Sequence, residues 1–252
     1  MKVNLLNISK AMGTLLILII MTESISKFSF ALANLISPFL PYQTMDPYGL
    51  YLYITVHHVF QLLFSAISIG WIYSVLKKRQ PALFSSFGIR WPEQPRKAFL
   101  AILSFTAIWA VIQFGLGYYM VAHQLVDASL GYPLNAETIT GQYLFQLLLS
   151  GTSEELLYRS LIIGLGGWMM KKSKCIWLYV YSLIPFIIGH ITYQMIPFKV
   201  YPPNVLQLIT VCIFGWFYTF LFLRFKSVIP PMIAHGLLNT VIITSGFVLS
   251  LI

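Results

Sequence analysis

Three groups of side chains have the types and spacing to activate a water and to hold an oxyanion within a membrane. Glu154 and Glu155 stand side by side in the apolar run 141–170, with Arg159 one turn further on. His190 follows in a later apolar run, and His235 and Asn239 stand four apart in another. A carboxylate at membrane depth costs at least ~2.5–3.5 kcal/mol on insertion scales, so two together are hard to justify as packing. A carboxylate free of an opposite charge can serve a water as general base. An imidazole and a carboxamide on one helix face can donate two hydrogen bonds to a single oxyanion.

Spacing separates the roles. Glu155 and Arg159 are four apart with the acid first, the favourable order for a helical ion pair, and Arg159 would neutralise Glu155 in apolar surroundings. Glu154 points about 100° away around the same helix, toward Tyr158 and Leu157, with no opposite charge one turn off. Its ionisation is then set by burial and by what other helices bring near it. His190 lies one turn after Phe186 and next to Gly189. Gly236 beside His235 permits close approach of another helix. Singly, His190, His235 and Asn239 also fit ordinary hydrogen-bond partners between helices. His57 and His58 carry no catalytic pattern. Cys175 and Cys212 lack CxxC spacing and read as small hydrophobes, with neither a disulfide nor a cysteine-type zinc site.

The elements that must position these groups are membrane helices. Of 252 residues 58% are hydrophobic and 9% charged, against about 25% charged in soluble domains, which excludes a large soluble core. The net charge of +9 is no nucleic-acid signature, because the basic residues cluster in short segments between apolar spans. Span-length windows predict an all-α polytopic bundle of about seven transmembrane helices, near 11–36, 48–76, 98–122, 140–169, 175–195, 205–223 and 228–251. The first run reads as an uncleaved helix rather than a signal peptide. Glu23 and Lys27 interrupt it, and their i,i+4 spacing predicts a local ion pair. Residues 1–139 are expected to form a scaffold of three helices and 140–252 the catalytic core, with the motifs on helices four, five and seven.

Thirteen of the sixteen Lys and Arg fall in the N-terminal tail or after helices two, four and six. The positive-inside rule then predicts a cytoplasmic N-terminus and an outer C-terminus. Segment 80–97 is expected on the cytoplasmic surface and 121–138 as an outer loop. Trp71, Tyr118, Tyr119, Trp168 and Trp177 read as interfacial belts. Counting from the cytoplasmic ends at 1.5 Å per residue, His235 lies about 12 Å in but Glu154 about 25 Å. Tilt, a kink at Pro185, or an extension of helix four or five beyond the bilayer would close that gap.

Glu154-Glu155-Leu156-Leu157-Tyr158-Arg159 fits EExxxR, Phe186-Ile187-Ile188-Gly189-His190 fits FxxxH, and His235-Gly236-Leu237-Leu238-Asn239 fits HxxxN. In that order on successive membrane segments, they resemble the CAAX prenyl protease 2 and bacteriocin-processing family (CPBP, or Abi) of intramembrane endopeptidases. The resemblance covers about the last 110 residues. It implies a glutamate-dependent hydrolysis in which Glu154 with His190 activates a water. His235 and Asn239 would hold the oxyanion, while Glu155, Arg159 and Phe186 support the site. Members were long described as metalloproteases, and a zinc ion would fall to Glu154, His190 and His235. HExxH does not occur, which favours chemistry without a metal or other cofactor.

The implied partners are the lipid bilayer and a membrane-associated peptide or lipidated protein: a bacteriocin or pheromone precursor, or a prenylated CaaX-type C-terminus. No nucleic acid is expected, and the oligomeric state stays open. The short chain, rich in Lys, Ile and Phe, favours a bacterial cell membrane. Two rivals come from other classes. One is a non-catalytic membrane scaffold or self-immunity protein that binds a partner. The other is a proton-coupled carrier, which would need inverted repeats that the chain lacks.

Overall fold

The computed structural model describes residues 5–77, 83–170, 175–194 and 199–252. Seven helical rods follow in chain order. They are α1 (Leu5–Ile36), α2 (Leu52–Leu76), α3 (Pro95–Ala122), α4 (136–169), α5 (Cys175–Gly189), α6 (Val205–Phe225) and α7 (Ile229–Leu249). Five of these, α1, α2, α3, α6 and α7, are long and apolar enough to cross a membrane. The protein is an all-α polytopic membrane bundle. The other two rods depart from regular spans: α4 is interrupted twice, and α5 has only 15 residues. Helix five was expected to reach 195; it stops at Gly189, and a short antiparallel hairpin follows, pairing Tyr193 with Val200 and Gln194 with Lys199.

The boundaries follow from local chemistry. The Asp46 carboxylate accepts N–H bonds from Leu50, Tyr51 and Leu52 at 2.7–2.8 Å, satisfying donors that the start of α2 would leave bare. Asn135 and Thr138 form a reciprocal capping box at the head of α4. Lys226, in the left-handed region at φ 50°, ends α6. Pro230 and Pro231 then occupy the first turn of α7, where no N–H is needed.

In the bundle α1 packs on α2 and α5, α3 packs on α7, and α4 lies among α2, α5 and α7. Segment 80–97, expected on the surface, exposes Ile89, Arg90, Trp91 and Glu93 among its described residues and is anchored by Phe87, fully buried against Gly164 of α4. One expectation fails here. Glu23 and Lys27 do not pair with each other: the Tyr193 hydroxyl donates to Glu23, and the Lys27 ammonium lies 4.0 Å from the centre of the Tyr193 ring. A tyrosine from the hairpin has come between two charges that sequence spacing alone would join. Trp71, Tyr118 and Tyr119 face outward, whereas Trp168 and Trp177 pack against the core.

The turn around Phe87 also resolves the mismatch in depth. Ser160 of α4 donates to the Phe87 carbonyl at 2.5 Å, and the Val228 N–H donates to the Gly88 carbonyl at 2.9 Å. Ser160 and Val228 therefore lie at one level. From that level Glu154 is about 9 Å inward along α4 and His235 about 10 Å inward along α7. The rest of α4, as far as Met169, runs past the start of α7 by about 13 Å. Extension of the fourth helix closes the gap.

Candidate active site

The two glutamates sit in a short α-helical stretch, Gly151–Glu155, between two π-helical stretches, Phe145–Ser150 and Leu156–Leu161. Such wide turns recur at functional sites because they re-aim side chains within a helix. The rod also approaches α7 closely here. A Cβ on Gly236 would lie 2.8 Å from the Leu147 carbonyl oxygen, so only glycine lets the π turn come this near.

Glu155 and Arg159 form the expected pair at 3.1 Å, and both side chains are 0% exposed. Arg159 also donates to the Gly215 carbonyl at 3.2 Å. Its guanidinium lies over the rings of Phe186, at 4.2 Å, and Tyr218, at 5.2 Å. This gives Phe186 a physical role: it covers the cation of one motif while its ring edge meets His190, 4.6 Å away between centroids. On the other side Glu155 accepts from Nδ1 of His235 at 2.8 Å. A carboxylate only accepts, so Nδ1 of His235 carries its proton and Nε2 faces away from Glu155. Tyr218 stacks on the same imidazole at 4.8 Å, fixing the plane of the ring.

Glu154 is less enclosed, its side chain 14% exposed, and it turns from Glu155 toward two imidazoles. Its Oε2 lies 3.9 Å from Nε2 of His235 and its Oε1 3.8 Å from Nε2 of His58. Oε2 has no hydrogen-bond partner among the described residues. These distances are too long for direct bonds and suit one bridging water each.

His190 follows the last turn of α5, where its Nδ1 donates to the Phe186 carbonyl at 2.8 Å. Gly189 before it lies so close to the Tyr158 hydroxyl that a Cβ would collide. His190 lines two hollows. One, of about 160 Å³, it shares with Glu154, His58 and Tyr158. The other, of about 620 Å³, it shares with His235 and Asn239. The larger hollow is otherwise walled mainly by apolar side chains of α3 and α6, such as Leu116, Ile209 and Phe214. The structure therefore brings Glu154, His190, His235 and Asn239 to one locality. Asn239 carries a condition: its amide donates to Gln146 at 2.8 Å and to Ser150 at 3.3 Å, so donation elsewhere requires giving up one bond.

Sequence reading missed His58, Ser153, Gln146 and Ser150. The last three lie within one or two turns of Glu154 on the same rod, and their polarity in an apolar run was a usable signal. His58 had no such signal, since its contacts come from a different helix.

A zinc ion is the group that the resemblance raised. The Nδ1 atoms of His190 and His235 are both held by other acceptors, leaving each Nε2 available. Yet no group of three His, Cys, Asp or Glu among the described residues is arranged to hold one ion. As they stand, Glu154, His190 and His235 do not fit zinc.

No curated protein matches the chain, and no solved structure does. Residues 136–241 match the sequence model of the family described as type II CAAX prenyl endopeptidase, Rce1-like. That stretch runs from the head of α4 through α7 as far as Val241 and includes all three motifs. Over these residues the chain is similar to the type II CAAX prenyl endopeptidase family.

Proposed function

We propose that the protein is an intramembrane endopeptidase that hydrolyses a peptide bond in a membrane-associated substrate. The unpartnered Oε2 of Glu154, 3.9 Å from Nε2 of His235, is the observation that carries this reading. A water between those atoms gives one proton to Glu154 while its oxygen adds to the scissile carbonyl carbon. The oxyanion formed takes hydrogen bonds from Nε2–H of protonated His235 and from Asn239, which exchanges its longer bond to Ser150 for the substrate oxygen. His190, with Nδ1 committed to Phe186, presents Nε2 as an acceptor that orients the water beside Glu154. When the intermediate collapses the C–N bond breaks, and the proton held by Glu154 passes to the leaving nitrogen. Glu155 and Arg159 stay out of the reaction; they fix the His235 ring and balance its charge.

The largely apolar hollow of about 620 Å³ favours a substrate with an apolar segment or lipid group beside the scissile bond. A bacteriocin or pheromone precursor in a bacterial cell membrane fits, as does a prenylated C-terminus. The distribution of Lys and Arg supports a cytoplasmic N-terminus.

The test compares membrane peptides from cells carrying the wild-type protein with those from cells carrying Glu154→Gln. The variant is expected to accumulate normally and to lose cleavage by about 10²–10⁴-fold, the range for a lost general base. An uncleaved precursor then builds up. A variant with normal abundance, an unchanged peptide pool and an unchanged phenotype would mean that the protein acts by binding a partner.

A further inference from the structure

One polar group at the site belongs to a helix assigned to the scaffold. His58, on α2, is 6% exposed. Its Nδ1 lies 2.5 Å from the Ser153 hydroxyl, immediately before the two glutamates. The single hydroxyl hydrogen of Ser153 serves either the Ser150 carbonyl at 3.1 Å or Nδ1 of His58, so Nδ1 is engaged by Ser153 in either tautomer. With Nδ1 so engaged, Nε2 faces Oε1 of Glu154 at 3.8 Å. On the opposite side His235 repeats this geometry: Nδ1 is held by Glu155, and Nε2 faces the other oxygen of Glu154 at 3.9 Å. The carboxylate stands between two imidazoles, each clamped at its far nitrogen.

The adjacent His57 is built differently. Its ring stacks on Phe30 of α1, with centroids 3.5 Å apart and planes 11° from parallel, as a packing group does. The His58 ring also meets Phe145 edge-on at 5.1 Å, which fixes its tilt above the π turn. Two facing nitrogen and oxygen acceptors repel unless a proton or a water lies between them. A clamped His58 therefore dictates where that proton or water sits and which way the carboxylate turns.

We propose that His58 is a positioning residue for Glu154: it holds Oε1 through a shared proton or one bridging water, and so presents Oε2 to the reacting water beside His235. This deepens the peptidase reading above and rests on it. It makes α2 a working part of the site.

Two substitutions separate this role from a simple tie between helices. In His58→Gln the carboxamide nitrogen reaches the former Nε2 position and can hold Glu154 directly or through the same water. In His58→Asn it reaches the former Nδ1 position, keeping Ser153 and losing Glu154. Two readouts apply to full-length protein in membranes. The first is labelling of Glu154 by dicyclohexylcarbodiimide, an apolar reagent for protonated carboxyl groups, resolved by mass spectrometry. The second is the cleavage rate of the precursor that builds up with Glu154→Gln. His58→Asn and His58→Ala are expected to speed labelling and to lower kcat by about 10–100-fold with little change in KM, while His58→Gln stays within about fivefold of wild type. Ser153→Ala, which frees the ring at one end and removes only a hydroxyl, is expected to fall between them.

The reverse order, with Asn active and Gln inactive, would overturn the proposal in favour of a structural tie to Ser153. Wild-type labelling and rate in His58→Ala would do the same. Failure of the underlying reading shows separately: Glu154→Gln then leaves the peptide pool unchanged, whatever the His58 variants do to labelling.

Discussion

α3 and α6 are similarly apolar and both long enough to cross a bilayer, yet only 6% of the most apolar window of α3 is buried, against 44% in α6. Apolarity tells a segment to enter the membrane; it does not tell the segment which neighbours to take. Burial in lipid follows from close packing and from polar groups that need partners. α6 buries Phe214, Phe217, Tyr218 and Phe222, and gives the Gly215 carbonyl to Arg159 and the Thr219 hydroxyl to Ser182. α3 buries only Ala98, Ile102 and Trp109, and turns Phe99, Leu100, Ile108 and Val111 outward. The same contrast runs through the whole chain. The second half is organised around buried charge, and the first half wraps it.

Breaking the charge is expected to have the largest effect on stability. Arg159→Met leaves Glu155 buried without its cation, a change that costs about 3–5 kcal/mol when one partner of a buried pair is removed. Thermal unfolding in detergent, together with abundance in membranes, measures it. Arg159→Lys keeps the charge but loses the planar stack on Phe186 and is expected to recover only part of the loss. If Arg159→Met unfolds like wild type, the second half is not organised by this pair, and the contrast with α3 reduces to side-chain size.

What the sequence made legible follows the same division. The helices could be read because each apolar run is contiguous. The three motifs could be read because EExxxR, FxxxH and HxxxN each sit within one or two turns of a single helix, where spacing fixes direction. Contacts between helices were not legible. His58 meets Glu154 only because α2 packs on α4, and nothing in the dipeptide His57-His58 says which ring will turn inward. Glu23 and Lys27 had ideal spacing for a pair, but Tyr193 arrives from a hairpin 170 residues after Glu23 and takes both. Phe87 lay in a segment rich in turn residues, where its burial under Gly164 could not be inferred. The registry of Ser160 with Val228, which sets the depth of the site, passes through that same segment.

A pair of identical substitutions sharpens the contrast at intermediate size. Gly236→Ala puts a methyl 2.8 Å from the Leu147 carbonyl oxygen, backbone that cannot move aside without parting α7 from α4. Overpacking of this kind costs about 1–3 kcal/mol. Because His235 is adjacent, cleavage is expected to fall by more than the loss of folded protein explains. Gly115→Ala on α3 meets nothing within 4 Å and removes a flexible residue from a helix interior, with an expected gain of about 0.5–1 kcal/mol. Opposite signs in the two melting temperatures support a packed half and a loose half; equal signs contradict it.

The smallest expected effect tests whether α3 is only wrapping. Gln113 of α3 donates to Ser245 of α7 at 3.1 Å and also lines the hollow shared by His190, His235 and Asn239. Hydrogen bonds between membrane helices are worth about 0.6 kcal/mol on average, so Gln113→Leu is expected to lower stability by roughly that amount. The added apolar surface lines a hollow that is already mostly apolar, so without substrate contact the cleavage rate should stay within about twofold of wild type, well below the roughly 10–200-fold that one methylene against a substrate is worth. A rate that falls tenfold with the melting temperature unchanged would give a different result. Gln113 would then be touching substrate, and the boundary between wrapping and working helices would have to move to include α3, as the geometry of His58 already moves it to include α2.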